Sequence, residues 1–243
     1  MTDSAPPTRA VTTPAKINFR PKLLDLFGGA GGSGVGYDRA GFDVTILDIE
    51  PHPDAPLPVV VADAMEVLAD TAYLSQFAVV HAGPPCQGYC TMNRWRGKTP
   101  GGDLTPRLIA EVRDRLIAWG GTYVIENVDG ARKHMLDPIR LRGGHFGLGV
   151  DRPRLFESNV ALTVPPHTPV VGAIGVYGPL DGRRLYTRKN GSIYRAAKTL
   201  DQARTAMGID WMQWDDLREA VPPAYTEWVG RQIADEIRAA VAA

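Results

Sequence analysis

The sequence predicts an open α/β fold, a mostly parallel sheet with helices on both faces. Three observations carry this. The apolar runs are nearly continuous, as in parallel strands buried on both sides. Glycine-rich or helix-periodic stretches separate them. Each run also ends in residues with functional groups, and in open α/β sheets ligands bind beyond the carboxyl ends of the strands.

Residues 1–20, rich in Pro, Thr and Ala, read as a flexible lead. Lys22–Phe27 (KLLDLF) is the first strand; it enters the glycine turn 28–34, and Val35–Ala40 continues as a short helix. Asp43–Asp48 (DVTILD) and Pro58–Ala62 (PVVVA) follow, the latter ending at Asp63. Phe77–Ala82 (FAVVHA) ends in Gly83-Pro84-Pro85-Cys86-Gln87, and Tyr123–Ile125 ends in Glu126-Asn127. Between these last two strands, Leu104, Leu108, Val112 and Leu116 predict a helix over Asp103–Trp119, with Asp103 as N-cap and Gly120-Gly121 as the stop. A closing helix begins at Pro222-Pro223, and its apolar face is Tyr225, Val229, Ile233 and Ile237. Residues 159–198 show little periodicity, so the expected organisation is a catalytic and cofactor-binding part at 21–158, a short irregular segment at 159–198, and C-terminal helices at 199–243.

Composition excludes several classes. The 243 residues hold 27 Lys+Arg against 27 Asp+Glu, which excludes a wholesale basic coat for nucleic acid but not a local basic surface. No apolar run, Leu57–Ala62 among them, approaches the roughly 18 residues of a membrane span. No secretory signal is visible in the first twenty residues, and two cysteines exclude a disulfide scaffold, so a reducing, cytoplasmic setting is expected.

Gly29-x-Gly31-x-x-Gly34 matches a dinucleotide-type fingerprint. Asp48 or Glu50 can hold ribose hydroxyls and Asp63 can accept from an adenine amino group. This pattern suits any adenosine-containing cofactor and leaves NAD and S-adenosylmethionine unseparated. Two prolines stiffen the loop that presents Cys86. His81, Cys86 and Cys90 lack a correctly spaced fourth ligand, so no metal is expected, and His81 reads as a strand-end residue packed beneath the cofactor.

These motifs together resemble the cytosine-5 DNA methyltransferases. Asp25-Leu26-Phe27-Gly28-Gly29-Ala30-Gly31-Gly32 resembles their S-adenosylmethionine motif, and Pro84-Pro85-Cys86-Gln87 their nucleophile motif. Glu126-Asn127-Val128 resembles the acidic motif and Arg152-Pro153-Arg154-Leu155-Phe156 the paired-arginine motif. Lys198–Ile209 and Val221–Gln232 look like the last two motifs. The run Pro222-Pro223-Ala224-Tyr225-Thr226-Glu227 resembles compact bacteriophage-type methylases.

The resemblance implies a Rossmann-like methyltransferase fold and methylation of carbon 5 of a flipped-out cytosine. Cys86 would be the nucleophile, Glu126 the proton donor at N3, and Arg154 a base contact supported by Arg152. Phe27, Gly28, Gly29, Ala30, Gly31, Gly32, Asp48, Ile49, Glu50, Asp63, Ala64 and Pro84 would hold S-adenosylmethionine. Double-stranded DNA would be bound by a monomer through Gln87 and through Arg94, Arg96 and Lys98 of a closing loop at 88–102, with Trp95 or Gln87 filling the vacated stack. The track Arg183, Arg184, Arg188, Lys189 and Arg195 would contact phosphates.

Four departures stand out. The recognition segment is about forty residues, Glu219-Ala220 replaces the usual Gly-Asn, Cys90 stands where serine is usual after the nucleophile motif, and Val150-Asp151 precedes Arg152 where glutamine is usual. The short segment leaves methylation of RNA or a free nucleotide open, as well as a non-catalytic binding module.

Overall fold

The computed structural model describes residues 20–89, 106–187 and 193–242. In chain order the elements are β1 (Lys22–Leu26), α1 (Gly32–Arg39), β2 (Asp43–Asp48), β3 (Val59–Val61), the one-turn helices α2 (Ala64–Val67) and α3 (Thr71–Leu74), and β4 (Val79–Ala82). These are followed by α4 (Ile109–Trp119), β5 (Thr122–Val128), β6 (Ile139–Leu141), β7 (Arg154–Ser158), β8 (Ile174–Gly175), β9 (Leu185–Thr187) and β10 (Ile193–Ala196). The chain closes with α5 (Leu200–Met207), α6 (Trp214–Glu219) and α7 (Pro223–Ala242).

Seven strands form one sheet in the order β3-β2-β1-β4-β5-β7-β6. The first five in that order are parallel, and β7 runs antiparallel between β5 and β6. The chain winds outward from β1 through β2 to β3, then crosses back to β4. The switch point therefore lies between β1 and β4, where a crevice opens at their carboxyl ends. Gly28 N–H donates to the Leu47 carbonyl and Gly83 N–H to the Leu26 carbonyl, each at 3.1 Å, which fixes both loops at that crevice.

Side-chain alternation within the apolar runs divides the core. Leu24, Leu26, Val80, Ala82 and Ile125 face α4 through Val112 and Leu116. Leu23, Ile46, Val79, Val124 and Phe156 face α1 and α7, meeting Tyr37, Tyr225, Val229 and Ile233. By the same parity Asp25, His81, Glu126 and Arg154 lie on the α1/α7 face, and Asn127 lies on the other.

Gly36 shows how tightly α1 meets α7. A Cβ there would collide with the Thr226 hydroxyl and the Pro223 carbonyl, both part of the α7 N-terminus. Gly36→Ala is expected to destabilise the protein by about 2–3 kcal/mol, as overpacking does. A thermal melt should show this as a Tm lower by roughly 5–10 °C.

The structure departs from the sequence reading in several places, among them an α1 that begins at Gly32 rather than Val35 and the unexpected strands β6 and β7. β1 stops before Phe27, whose φ of 58° is left-handed. α4 begins at Ile109, not Asp103; Asp103 and Leu104 lie outside the described residues, and the Ile109 N–H donates to Tyr89 Oη at 3.1 Å, so a tyrosine from the preceding loop meets the helix start. Glu126 and Asn127 lie inside β5 because β7 pairs alongside them, Glu126 with Phe156 and Asn127 with Leu155. The 159–198 segment contains a three-stranded sheet, β8-β10-β9. Val176 and Ala197 of that segment share a core with Ala203, Met207, Met212, Leu217 and Ala30.

Candidate active site

A cleft of about 650 Å³ opens at the switch point. One half is built by the glycine turn and the ends of β2 and β3. Asp48 Oδ2 accepts the Gly29 N–H at 2.9 Å and its Oδ1 accepts the Glu50 N–H at 3.1 Å, so one carboxylate ties the turn to the β2 end. Gly29 has a φ of +51° and open space where a Cβ would stand, leaving room for close backbone approach. Asp63 caps α2, accepting the Met65 N–H at 2.7 Å. Phe27, Gly28, Gly29, Ala30, Gly32, Asp48, Ile49, Glu50, Asp63, Ala64 and Pro84 all line the cleft. Gly31 is absent from the lining; its φ of +85° starts α1, and a Cβ there would press on Ile46.

The other half carries the reactive groups. Cys86 is half-buried and lines the cleft with Pro85 and Gln87. Its turn is pinned from three directions. Asn127 Nδ2 donates to the Pro84 carbonyl at 2.8 Å, the Tyr89 N–H donates to the Cys86 carbonyl at 2.9 Å, and Arg107 Nε donates to the Gly88 carbonyl at 3.0 Å. Glu126 and Arg154 converge opposite, with Arg154 Nε 3.0 Å from Glu126 Oε1. Their attraction is electrostatic rather than directional, since that oxygen has no hydrogen bond among the described residues. Burial pushes the Glu126 carboxyl up to about 7; Arg154 opposes the rise and Cys86 adds to it.

Beneath the glycine turn lies a buried polar chain. Ser33 Oγ donates to Asp25 Oδ2 at 2.6 Å, His81 Nε2 stands 3.8 Å from Asp25 Oδ1, and Tyr37 Oη is 2.8 Å from His81 Nδ1. Burial pushes Asp25 up to about 7 and His81 down to about 3, so His81 is neutral at physiological pH. His81 thus occupies the strand end, at the cleft floor. No group of three metal-ligating side chains occurs among the described residues, and Cys90 lies outside them.

Arg152 does not line the cleft. Its guanidinium donates to the carbonyls of Ala220 (2.9 Å), Val176 (3.1 Å) and Arg218 (2.6 Å), and it sits 5.2 Å over the Tyr177 ring. The Tyr225 hydroxyl donates to its carbonyl at 2.9 Å, and its own φ is 24°. It joins the β7 start, the small sheet and the α6–α7 junction, two residues from Arg154. Its geometry is that of a positioning residue.

Sequence reasoning missed one wall. Met212, Asp216, Glu219, Ala220 and Val221 line the cleft from the far end of the chain. Trp211 Nε1 donates to the Ala30 carbonyl at 2.8 Å, and His52 lies 3.6 Å from Asp48 and 3.4 Å from Asp216. The only signal was the unusual Glu219-Ala220. Of the expected nucleic-acid contacts, Gln87 is exposed at the cleft. Arg183 and Arg184 are exposed, their N–H groups held by Asp181 Oδ1 at 2.9 and 3.2 Å, and Arg195 is exposed on β10. Arg94, Arg96, Lys98, Trp95, Arg188 and Lys189 lie outside the described residues.

No family model matches the chain. It is 35% identical over 193 residues to the type II methyltransferase M.AgeI of Thalassovita gelatinovora, an alignment covering 68% of this chain and 41% of that protein. It is 35% identical over 118 residues to the type II methyltransferase M1.HphI of Haemophilus parahaemolyticus, covering 43% and 32%. With M.AquIA of a Picosynechococcus strain it shares 30% over 125 residues, covering 45% and 49%. The chain thus spans a third to a half of the length of these curated relatives. Among solved structures, an E. coli prophage-encoded chain described as a DNA modification methyltransferase superposes with a TM-score of 0.62 at 15% identity, covering 90% of this chain and 99% of that one. The S. pombe Dnmt2 methyltransferase superposes with a TM-score of 0.59 at 10% identity, with the same coverage. The chain therefore has the Rossmann-like fold of these methyltransferases, and no described helix is long and apolar enough to cross a membrane.

Proposed function

We propose that the protein is a DNA cytosine-5 methyltransferase that uses S-adenosylmethionine and acts through a covalent bond from Cys86. The observation that carries this is the single cleft holding a Cys86 thiol, a Glu126 carboxyl raised to about 7 and Arg154 beside a glycine cradle. The type II methyltransferase relatives support methyl transfer to DNA. Methylation at an exocyclic amine needs no thiol, because the nitrogen lone pair attacks directly. Carbon 5 of cytosine is unactivated and needs one.

The cradle fits the methyl donor. Gly29 has no atom where a Cβ would stand, and Asp48 and Asp63 line the same cleft; in this reading Asp48 takes the ribose hydroxyls and Asp63 the adenine amino group. When bound, the donor supplies an electrophilic sulfonium methyl group. A cytosine stacked in a duplex cannot reach Cys86, so the base is flipped into the cleft. The Cys86 thiol gives its proton to water, and the thiolate then bonds to carbon 6, opening the carbon 5–carbon 6 double bond, as Glu126 gives its proton to N3, which makes carbon 5 nucleophilic. Arg154 holds the Glu126 carboxyl and balances the charge it gains. After methyl transfer a water takes the carbon 5 proton, the carbon–sulfur bond breaks with its electron pair returning to Cys86, and N3 returns its proton to Glu126.

Duplex DNA incubated with methyl-tritiated S-adenosylmethionine should yield 5-methylcytosine on digestion. Label in N4-methylcytosine or N6-methyladenine would overturn the carbon 5 assignment. Label only in RNA or CMP would overturn the DNA substrate.

A further inference from the structure

The cleft has two walls with separate cores. Met212, Ala220 and the small sheet that bears Arg183, Arg184 and Arg195 belong to one core. The Cys86 turn leans on the other, where Tyr89 packs with Ala131, Met135 and Ile109. That second wall carries its own cations. The 3₁₀ turn Asp129–His134 follows β5 directly and places Arg132, Lys133 and His134 in its last residues. His134 packs against Tyr89 with tilted rings whose centroids are 5.1 Å apart, and a Cβ at Gly130 would collide with the Tyr89 carbonyl, so this turn lies against the Cys86 turn. Arg107 donates to Gly88, and burial first, then the charges of Lys133 and Arg107, lower the His134 pKa. Arg107, Arg132 and Lys133 are all exposed.

Three nearby acids are already engaged. Asp129 pairs with Arg140 at 2.8 Å, Glu111 with Arg115 at 2.6 Å, and Glu157 with Arg113 at 2.5 Å. Neither Arg132 nor Lys133 makes an ion pair among the described residues. Their charge therefore faces outward, four and five residues beyond Val128, which lines the cleft.

We infer that Arg107, Arg132 and Lys133 form a second phosphate-gripping surface, on the Cys86 wall, for the DNA backbone beside the flipped cytosine. The inference rests on the DNA reading above. A duplex seated over the cleft meets cations on both walls, so neither the small sheet nor the nucleophile turn has to hold it alone. Neutralising a phosphate releases condensed counterions, so removing one cation from the surface lowers the salt dependence of binding by close to one in log–log slope.

The test compares the whole protein with R132A/K133A and with R183A/R184A, binding a fluorescent duplex from 50 to 200 mM salt, with S-adenosylmethionine affinity measured alongside. R132A/K133A should lower the slope by about 2 and weaken binding about tenfold or more at the lower salt, with cofactor affinity preserved. Wild-type slope and affinity in R132A/K133A, alongside a reduced slope in R183A/R184A, would overturn the second surface and leave the DNA reading standing. A wild-type protein that binds cofactor but shows no salt-dependent binding to duplex would overturn both. Salt-dependent binding of RNA only would replace the partner and fail the DNA reading.

Discussion

Cys86→Ala is expected to abolish methyl transfer, with kcat lower by about 10⁴-fold or more, while duplex and cofactor affinities stay within a few-fold of wild type. A factor of 10⁴ corresponds to about 5.5 kcal/mol of transition-state stabilisation, too much for a residue that only packs. The split between rate and affinity follows from the geometry. The turn that carries Cys86 is held by backbone carbonyls and by Asn127 and Arg107, so removing the sulfur leaves its frame intact. Rapid-quench measurement of 5-methylcytosine formation, with titrations of DNA and cofactor, reads both quantities. A variant that still methylates within tenfold of wild type would mean that the sulfur is not the nucleophile.

Glu126→Gln is expected to lower kcat by about 10²–10⁴-fold, the range for a positioned general acid. Glutamine keeps the shape and can still face Arg154, but it has no proton to give N3. The pH profile supplies the sign. Burial raises Glu126 to about 7, so the carboxyl is protonated below that pH and becomes the carboxylate above it. The step that uses its proton therefore weakens as pH rises through about 7. The Cys86 thiol acts in the opposite direction, since its thiolate gains with pH. Wild-type kcat should show a one-proton decline on the alkaline side that is missing from Glu126→Gln. An alkaline limb unchanged in the variant would assign the titration to another group, Asp25 being the first alternative because burial also raises it to about 7.

The legible parts of the fold were those whose sequence signal is local. Continuous apolar runs marked β1, β2, β3, β4 and the start of β5, and Tyr225, Val229, Ile233 and Ile237 marked α7. The strand β7 was obscured because Arg154-Leu155-Phe156-Glu157 sets charged residues at both ends of its apolar pair, which usually indicates an exposed face. Here both charges are buried and paired at long range, Arg154 with Glu126 and Glu157 with Arg113. The same pairing carries β5 past the end of its apolar run and draws Glu126 into the sheet. The short strands β8 to β10 had no periodicity to show, since their support comes from α5 and α6.

The site divides in the same way. Strand-end residues such as Cys86, Asp48 and Asp63 sit where strand-end logic puts them, in the cleft lining. Arg152, expected to support Arg154, is a buried clamp on three carbonyls that belong to segments 24 to 68 residues away, and no local pattern signals those partners. Met212 reaches the cleft lining, and Trp211 bonds to Ala30 across some 180 residues of chain; nothing local in their sequence signals it.

The proposed covalent bond between Cys86 and the cytosine ring is the step on which the mechanism turns, and it can be tested directly. Fluorine at carbon 5 cannot depart as a proton does, so a duplex substituted with 5-fluorocytosine should arrest the reaction with the sulfur still attached. Incubated with S-adenosylmethionine, the protein should form a one-to-one conjugate stable to denaturing gel electrophoresis, with the nucleotide mass mapped to the peptide bearing Cys86. Methylation of ordinary duplex with no conjugate on the fluorinated one, or a conjugate that survives Cys86→Ala, would refute the covalent mechanism.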